Sequence, residues 1–417
     1  MRLTLDNKVI RKGSVRLPAS KSVALRAEIL SEIFGRCIIL ENKPVCDDFI
    51  DLQSALEKCR KAIKDSECAE FVFRDGAAPL RFFLAYAASL EGFRGVIRCS
   101  DRLKKRPLAP LIDVLRRAGA KVECIEREGF PPLKLCGSRL SWNGGDPGYG
   151  ISSQFASALT MASLLWEKPY ELPEDLIMVS APYLEMTIKM IDRFLSVSAR
   201  GKKCGKEIYS IENDWSAASY FYELILAVPS REIIIDRLSR PESSVQGDSA
   251  CAEIFGHLGV ESHFNEDGSV KLKADKDRIR QLAGSSRPVK LNLGDTPDLV
   301  PAIAAGLCLA GISFIIEGIG HLKHKESDRL SSLTTQMARA GYALENNGDA
   351  LAWHGDRLEV HPPYRFDSCN DHRIAMALAV SVVKLEEIEI KDAGCVSKSF
   401  PDYFNQLSTI GILESEG

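Results

Sequence analysis

Several absences in this chain are informative. No uninterrupted apolar run approaches the roughly 20 residues that a membrane-crossing helix requires, although 45% of the 417 residues are hydrophobic. There is no surplus of basic charge: 54 Lys and Arg face 57 Asp and Glu, a formal net charge of −3. That excludes the broad cationic surface of a non-specific nucleic-acid binder and leaves room only for a local cationic cleft. The twelve cysteines are scattered, with no Cys-x-x-Cys pair and no clustered Cys/His spacing. This argues against structural zinc and for reduced, mostly buried thiols. The first residues, Met1–Lys8, carry no apolar signal-like core. The expectation is a cytoplasmic globular protein that engages neither membrane nor nucleic acid and holds no metal.

What the chain does contain is a recurring unit. A polar opening leads into a small, apolar helix, then a β-rich strand, a polar loop, and a second helix with a returning strand. The openings are Ser20-Lys21-Ser22, Asp75-Gly76, Ser152-Ser153-Gln154, Asp214-Trp215-Ser216, Asp295-Thr296-Pro297-Asp298 and Asn370-Asp371-His372-Arg373. Helices are expected over Val23–Leu30, Leu80–Ser89, Phe155–Leu165, Ala217–Leu226, Leu299–Leu309 and Ile374–Val383. Strands are expected over Cys37–Leu40, Gly95–Arg98, Leu176–Val179, Glu232–Ile235, Ser313–Glu317 and Glu387–Lys391. The second and fifth copies match best, with Asp75 to Gly119 and Asp298 to Gly341 spanning 44 and 43 residues. The first copy looks trimmed between Asn42 and Ser66. Each copy reads as a βαβαββ module. Six exceed one core, which divides the chain into two α/β lobes of three. The expected division is residues 1–17 with 214–417, and residues 18–213, crossing at Asn213–Asp214. The first strand, near Leu3–Leu17, would return to the C-terminal lobe.

The polar positions fall at equivalent places in the unit, at or beside expected helix N-termini, where free N–H groups and the helix dipole attract anions. The openings contribute Lys21, Ser22, Arg26, Ser152, Ser153, Gln154, Asp298 and Arg373. The second loops contribute Arg106, Tyr183, Lys325, Glu326, Arg329 and Lys398. Singly each has an ordinary explanation: Lys21 as a solvated helix start, Arg329 as a surface partner of Glu326, Asp298 and Gln154 as caps, His372 as a structural histidine. Together, with both lobes presenting these ends to one cleft, they would surround two carboxylates with four arginines and three lysines. A net-acidic chain that concentrates cations this way suits a small, multiply charged anion.

The residues that carry these positions also resemble a known family. They are Leu17-Pro-Ala-Ser-Lys21-Ser22-Val-Ala-Leu-Arg26, Arg106-Pro107, Ser152-Ser153-Gln154-Phe155, Ser180-Ala-Pro-Tyr183, Trp215-Ser-Ala-Ala-Ser-Tyr220 and Gln246-Gly247-Asp248. The series continues through Thr296-Pro297-Asp298, Lys325-Glu326-Ser-Asp-Arg329-Leu330, Asn370-Asp371-His372-Arg373 and Lys398-Ser-Phe-Pro-Asp-Tyr403. In this order, over nearly the whole chain, they resemble the 3-phosphoshikimate 1-carboxyvinyltransferase (EPSP synthase) family. The resemblance implies a two-lobe inside-out α/β barrel, a monomer, and no cofactor. It implies transfer of the enolpyruvyl group of phosphoenolpyruvate to the 5-hydroxyl of shikimate 3-phosphate, in the shikimate pathway to chorismate and aromatic amino acids. By the same resemblance, phosphoenolpyruvate would be held by Lys21, Asp75, Ala77, Arg106, Gln154, Arg329, Arg373 and Lys398. Shikimate 3-phosphate would be held by Lys21, Ser22, Arg26, Ser152, Ser153, Gln154, Ser180, Tyr183, Asp298 and Lys325. Asp298 would accept the proton of the attacking hydroxyl, and Glu326 with Lys21 would move a proton to and from the methylene carbon. Asp328 is left to cap its helix.

One stretch departs from the family pattern Asn-Ala-Gly-Thr-Ala-Met-Arg. Here it reads Asp75-Gly76-Ala77-Ala78-Pro79-Leu80-Arg81. A methyl at Ala77, where the family's Gly lets the backbone approach phosphoenolpyruvate, would crowd that pocket against a bulkier analogue such as glyphosate. The alternatives are a UDP-N-acetylglucosamine 1-carboxyvinyltransferase, a catalytically impaired paralogue, or an RNA 3′-phosphate cyclase of related architecture. The first would need a reactive Cys where this chain has Asp101. The last would need a nucleotide-transfer histidine and a basic face.

Overall fold

The computed structural model describes residues 1–6, 10–35, 37–144, 152–172, 180–204 and 207–414. The expected strand Leu176–Val179 lies outside the described residues. The chain forms two compact units, one of Met1–Pro18 with Glu212–Gly417 and one of Ala19–Ile211.

Within each unit the first helix of every repeat is buried on all sides. Lys21–Ile33, Ala77–Ala88 and Ser153–Ala162 pack on one another in one unit. Trp215–Ala227, Val300–Ala310 and His372–Val380 do so in the other. Ala-rich, mostly apolar sequences explain this for five of the six, because a helix with no polar face has none to give to water, whereas Lys21–Ile33 buries Arg26 and Glu28 as well. The second helices are amphipathic by contrast, as in Arg329–Arg339, where Leu330, Leu333 and Met337 are buried and polar residues lie between them. Sheets complete each repeat, and their strands alternate buried and exposed residues, as in Glu387–Lys391.

Four sheets share one plan: a parallel pair, then two antiparallel strands. Ala69–Phe73 runs parallel to Arg94–Cys99, followed by Leu133–Cys136 and Lys121–Cys124. The same order recurs in Val289–Asn292, Phe314–Glu317, Leu351–Trp353 and Glu345–Asn346. Segments from the chain's start complete the other two. Gly13–Val15 joins Glu232–Ile235 in parallel, and Arg2–Leu5 lies antiparallel between Glu387–Lys391 and Ile412–Glu414. The single strand expected near Leu3–Leu17 is therefore two strands in two different sheets. Gly119 and Gly341, at φ 109° and 87°, turn the chain after the second helices of the two best-matched copies.

The first repeat differs from its sequence reading in an instructive way. The stretch expected to be trimmed, Asn42–Ser66, holds a 19-residue helix, Asp47–Asp65. Its acidic first turn and its buried Phe49, Leu52, Leu56 and Cys59, at helical spacing, account for it. The shortening comes afterwards: the chain passes directly to Ala69–Phe73, a strand of the next sheet. Ile38–Glu41 pairs in parallel with Glu207–Ser210.

Charged residues are buried in these helices too, and one of them stands apart. Glu223, in the helix Trp215–Ala227, is fully buried, and neither carboxylate oxygen has a hydrogen-bond partner among the described residues. Burial raises its carboxyl well above the ordinary value of 4.5, so it is uncharged inside the folded unit while the unfolded chain ionises it. The stability carried by the protonated form is complete below about pH 4.5 and is lost as pH rises, by about 1.4 kcal/mol per pH unit until the folded group itself ionises. A Glu223→Met variant should therefore melt higher than wild type, by a margin that widens from pH 5 upward. Parallel Tm-against-pH curves for the two proteins would refute this account.

Candidate active site

In the larger unit the functional side chains gather around Arg329. This arginine opens the helix Arg329–Arg339 and is 1% exposed. Its three nitrogens serve three carboxylates: Nε donates to Asp371 Oδ2 at 2.9 Å, Nη1 to Asp298 Oδ1 at 2.8 Å and Nη2 to Glu326 Oε2 at 2.8 Å. Each carboxylate arrives from a different local feature. Asp371 is the N-cap of His372–Val380, and Asp298 lies in the turn before Val300–Ala310. Glu326 lies three residues before Arg329, in the loop after the short helix Gly320–His324. Arg373 Nη2 donates to the second oxygen of Asp298 at 2.6 Å, and Lys398 Nζ stands 3.7 Å from Glu326 Oε1. Asp328 caps the helix, its carboxylate accepting from Ser331 N, as its position in the sequence implied.

The electrostatics follow from this packing. Burial opposes the charge of Asp298, but Arg373, Lys325 and Arg329 outweigh it and hold the carboxyl well below its ordinary range. Burial also works against the Arg329 charge, and Asp371, Glu326 and Asp298 more than restore it. Lys325 is pulled below its ordinary value, chiefly by burial. Asp298 is therefore an engaged carboxylate and not the helix cap that its position after Pro297 suggested. Burial and the neighbouring Asp298 lift Asp248 to about 7, and its carboxylate accepts from Ser216 Oγ. His321 falls to about 4 by burial, with Lys325 acting in the same direction.

The smaller unit holds a second group of predicted residues. Lys21 begins the helix Lys21–Ile33, and its Nζ lies 3.0 Å from Asp48 Oδ2. Arg26, one turn on, is 2% exposed. Its hydrogen bonds among the described residues go only to neutral oxygens. They are Thr187 Oγ1 at 2.7 Å, Ser22 O at 2.8 Å, Tyr183 O at 3.0 Å and Ser157 Oγ at 3.1 Å. Burial lowers the guanidinium to about 10, leaving it charged at neutral pH. A buried cation without a carboxylate is costly by itself and suits an anionic ligand. Ser152 caps the helix Ser153–Ala162, Gln154 Oε1 accepts from Arg81 Nη1, and Ser180 precedes Pro182–Cys204 with φ 62°. Asp75 accepts from Ser100 Oγ, Ala77 begins Ala77–Ala88, and Arg106 follows the short helix Leu103–Lys105.

Arg329, Arg373, Asp298, Glu326 and Lys398 are thus joined by direct contacts in one unit, and Lys21, Ser22, Arg26 and Tyr183 take part in the networks of the other. The sequence reading missed the residues that hold these in place. Asp371 and Asp48 are counter-ions of Arg329 and Lys21, Asp248 shares the field of Asp298, and Arg81 holds Gln154. All four had a visible signal: Asp371 lies inside a repeat opening, Asp48 follows Asp47 in an acidic pair, Asp248 ends Gln246-Gly247-Asp248, and Arg81 ends the stretch from Asp75. Replacing Arg329 by Leu would leave three carboxylates without their common cation. Such a loss should cost about 3–5 kcal/mol of stability, read as a lower midpoint in urea, with Arg329→Lys intermediate. An unchanged midpoint for Arg329→Leu would refute the counter-ion role.

The family model described as EPSP synthase (3-phosphoshikimate 1-carboxyvinyltransferase) matches residues 7–407. A 3-phosphoshikimate 1-carboxyvinyltransferase of Bacteroides fragilis is 32% identical over 412 residues, 96% of this chain and 95% of that protein. The Erwinia tasmaniensis protein of the same name is 28% identical over 448 residues, covering 99% of each. Among solved structures, EPSP synthase from Acinetobacter baumannii aligns over 100% of both chains with TM-score 0.67 at 17% identity, which establishes the shared fold. By its sequence match over nearly its full length, the chain belongs to the EPSP synthase family.

Proposed function

We propose that the chain transfers the enolpyruvyl group of phosphoenolpyruvate to the 5-hydroxyl of shikimate 3-phosphate, releasing phosphate, as a step of the shikimate pathway to chorismate. It would work as a cytoplasmic monomer on small soluble substrates. No helix among the described residues is long and apolar enough to cross a membrane. The observation that carries the reading is the buried set in which Arg329 and Arg373 both grip Asp298, with Lys325 beside it. Such a set pairs a base with the cations that an anionic donor needs.

In this reading the carboxylate of phosphoenolpyruvate binds Arg329 and Arg373, and its phosphate binds Lys21, Arg106 and Lys398, with Asp75, Ala77 and Gln154 lining the donor. Shikimate 3-phosphate lies against Ser22, Arg26, Ser152, Ser153, Ser180, Tyr183 and Lys325, with Lys21, Gln154 and Asp298 also reaching it. The donor competes with Asp298 for the two arginines. As they turn to it, Asp298 loses the cations that suppress its basicity and can accept the proton of the 5-hydroxyl. The C–O bond then forms at C2 of the donor while C3 gains a proton from Glu326, assisted by Lys21. Loss of a proton from C3 with breakage of the C2–O bond to phosphate restores the enol ether. Cations on the leaving oxygens lower that barrier.

Phosphate release from phosphoenolpyruvate and shikimate 3-phosphate tests the proposal. Release only with UDP-N-acetylglucosamine, or with neither acceptor, would overturn it. Glu326→Gln should keep substrate binding while kcat falls by roughly 10²-fold or more, and near-normal turnover would remove Glu326 from the proton path. Glyphosate should inhibit wild type weakly and Ala77→Gly more tightly, because the Ala77 methyl narrows the donor pocket. Equal, tight inhibition of both would reject that role.

A further inference from the structure

The departure at Asp75–Arg81 sits in a braced loop. Arg74, just before it, is clasped to the first turns of the helix Asp47–Asp65. Its backbone N–H donates to Asp51 Oδ2 at 3.0 Å, and its Nε and Nη2 approach Asp51 Oδ1 at 2.8 and 2.7 Å. Its Nη1 donates to Asp47 Oδ1 at 2.7 Å and its Nη2 to Asp47 O at 3.0 Å. Asp47 and Asp51 are four residues apart on one helical face, so one guanidinium spans both. The Arg74 side chain is half exposed and the Asp51 side chain only 10% exposed. A lone surface pair would contribute little, but a fork that also ties down the backbone is the exception.

The same helix turn meets the other side of the loop. Asp48, between the two clasping aspartates, takes Lys21 on Oδ2, and its Oδ1 lies 2.7 Å from the point that a Cβ on Gly76 would occupy. No side chain fits at residue 76, and the Gly76–Ala77 backbone is seated directly on Asp48. Gly76 is the N-cap of Ala77–Ala88 and supplies no side-chain cap, so the free N–H groups of that turn are available to a ligand. One acidic turn therefore references three things to each other: the Lys21 ammonium, the Gly76–Ala77 backbone and, through Arg74, the strand end that carries them.

We propose that Arg74, through its clasp on Asp47 and Asp51, is a positioning residue that sets the distance of the Gly76–Ala77 turn from phosphoenolpyruvate and so its affinity. This rests on the donor assignment made above. Without the clasp the turn recedes, its N–H groups lose the donor, and the Ala77 methyl ceases to exclude larger analogues. Most acceptor contacts, those of Ser22, Arg26, Ser152, Ser153, Ser180 and Tyr183, do not pass through Arg74, and Lys21 keeps its own tie to Asp48 when Arg74 is replaced.

Steady-state kinetics of Arg74→Ala, Arg74→Lys and Asp51→Asn test it, with phosphate release as the signal. Arg74→Ala should raise the KM for phosphoenolpyruvate about fivefold, leave the KM for shikimate 3-phosphate unchanged and keep kcat within about twofold. Arg74→Lys, which can reach one aspartate but not both, should recover part of the loss, and Asp51→Asn should reproduce it. Glyphosate inhibition should tighten in Arg74→Ala. An unchanged donor KM in an active variant, or both KM values moving together, would overturn the proposal. Should Arg74→Ala not fold, Asp51→Asn carries the same test alone. A wild-type protein that releases no phosphate from the two substrates would instead reject the functional reading itself.

Discussion

The larger unit depends on one arrangement: a fully buried arginine that three carboxylates share. At 1% exposure the Arg329 charge is offset by all three, and each of them in turn leans on it. The sharing has a structural consequence, because Asp371 caps one helix while Asp298 introduces another. Arg329, at the start of a third, joins the ends of three helices in one electrostatic knot. It also has a chemical consequence. Asp298 is held ionised and poorly basic by its arginines, and in the proposed reaction its proton acceptance would be tied to donor binding.

The smaller unit solves a related problem differently. Arg26 is buried against neutral oxygens and an aromatic face, with the Phe82 ring centroid 5.2 Å from its guanidinium carbon. Its charge is left uncompensated. Lys21 is neutralised by Asp48 on a helix that also carries the Arg74 clasp. One unit thus surrounds a buried cation with neutral oxygens, and the other surrounds its cations with carboxylates.

Much of this was legible before any coordinates. The buried helices are the Ala- and Leu-rich stretches behind each polar opening, and their boundaries moved by few residues, as in Leu299–Leu309 becoming Val300–Ala310. The exceptions have local causes. The expected helix Phe155–Leu165 tightens into a 3₁₀ turn at Ser163–Leu165, and Ile374–Val383 is interrupted at Ser381. Asn42–Ser66 was misjudged because a helix with mean polarity this high shows its apolar face only at helical spacing.

By itself the sequence determined the repeat, the family and the identity of the charged residues, because periodicity, turn chemistry and ordered motifs are local properties of a chain. Which charges pair was a different matter. Arg329 read as a surface partner of Glu326 three residues away, and Asp298 as a cap. Their burial and their links to Asp371 and Arg373 depend on contacts 31 to 75 residues apart in sequence. Only the tertiary structure decided that, because solvent exclusion and distance set the sign and strength of an ion pair, and neither is written in the order of residues.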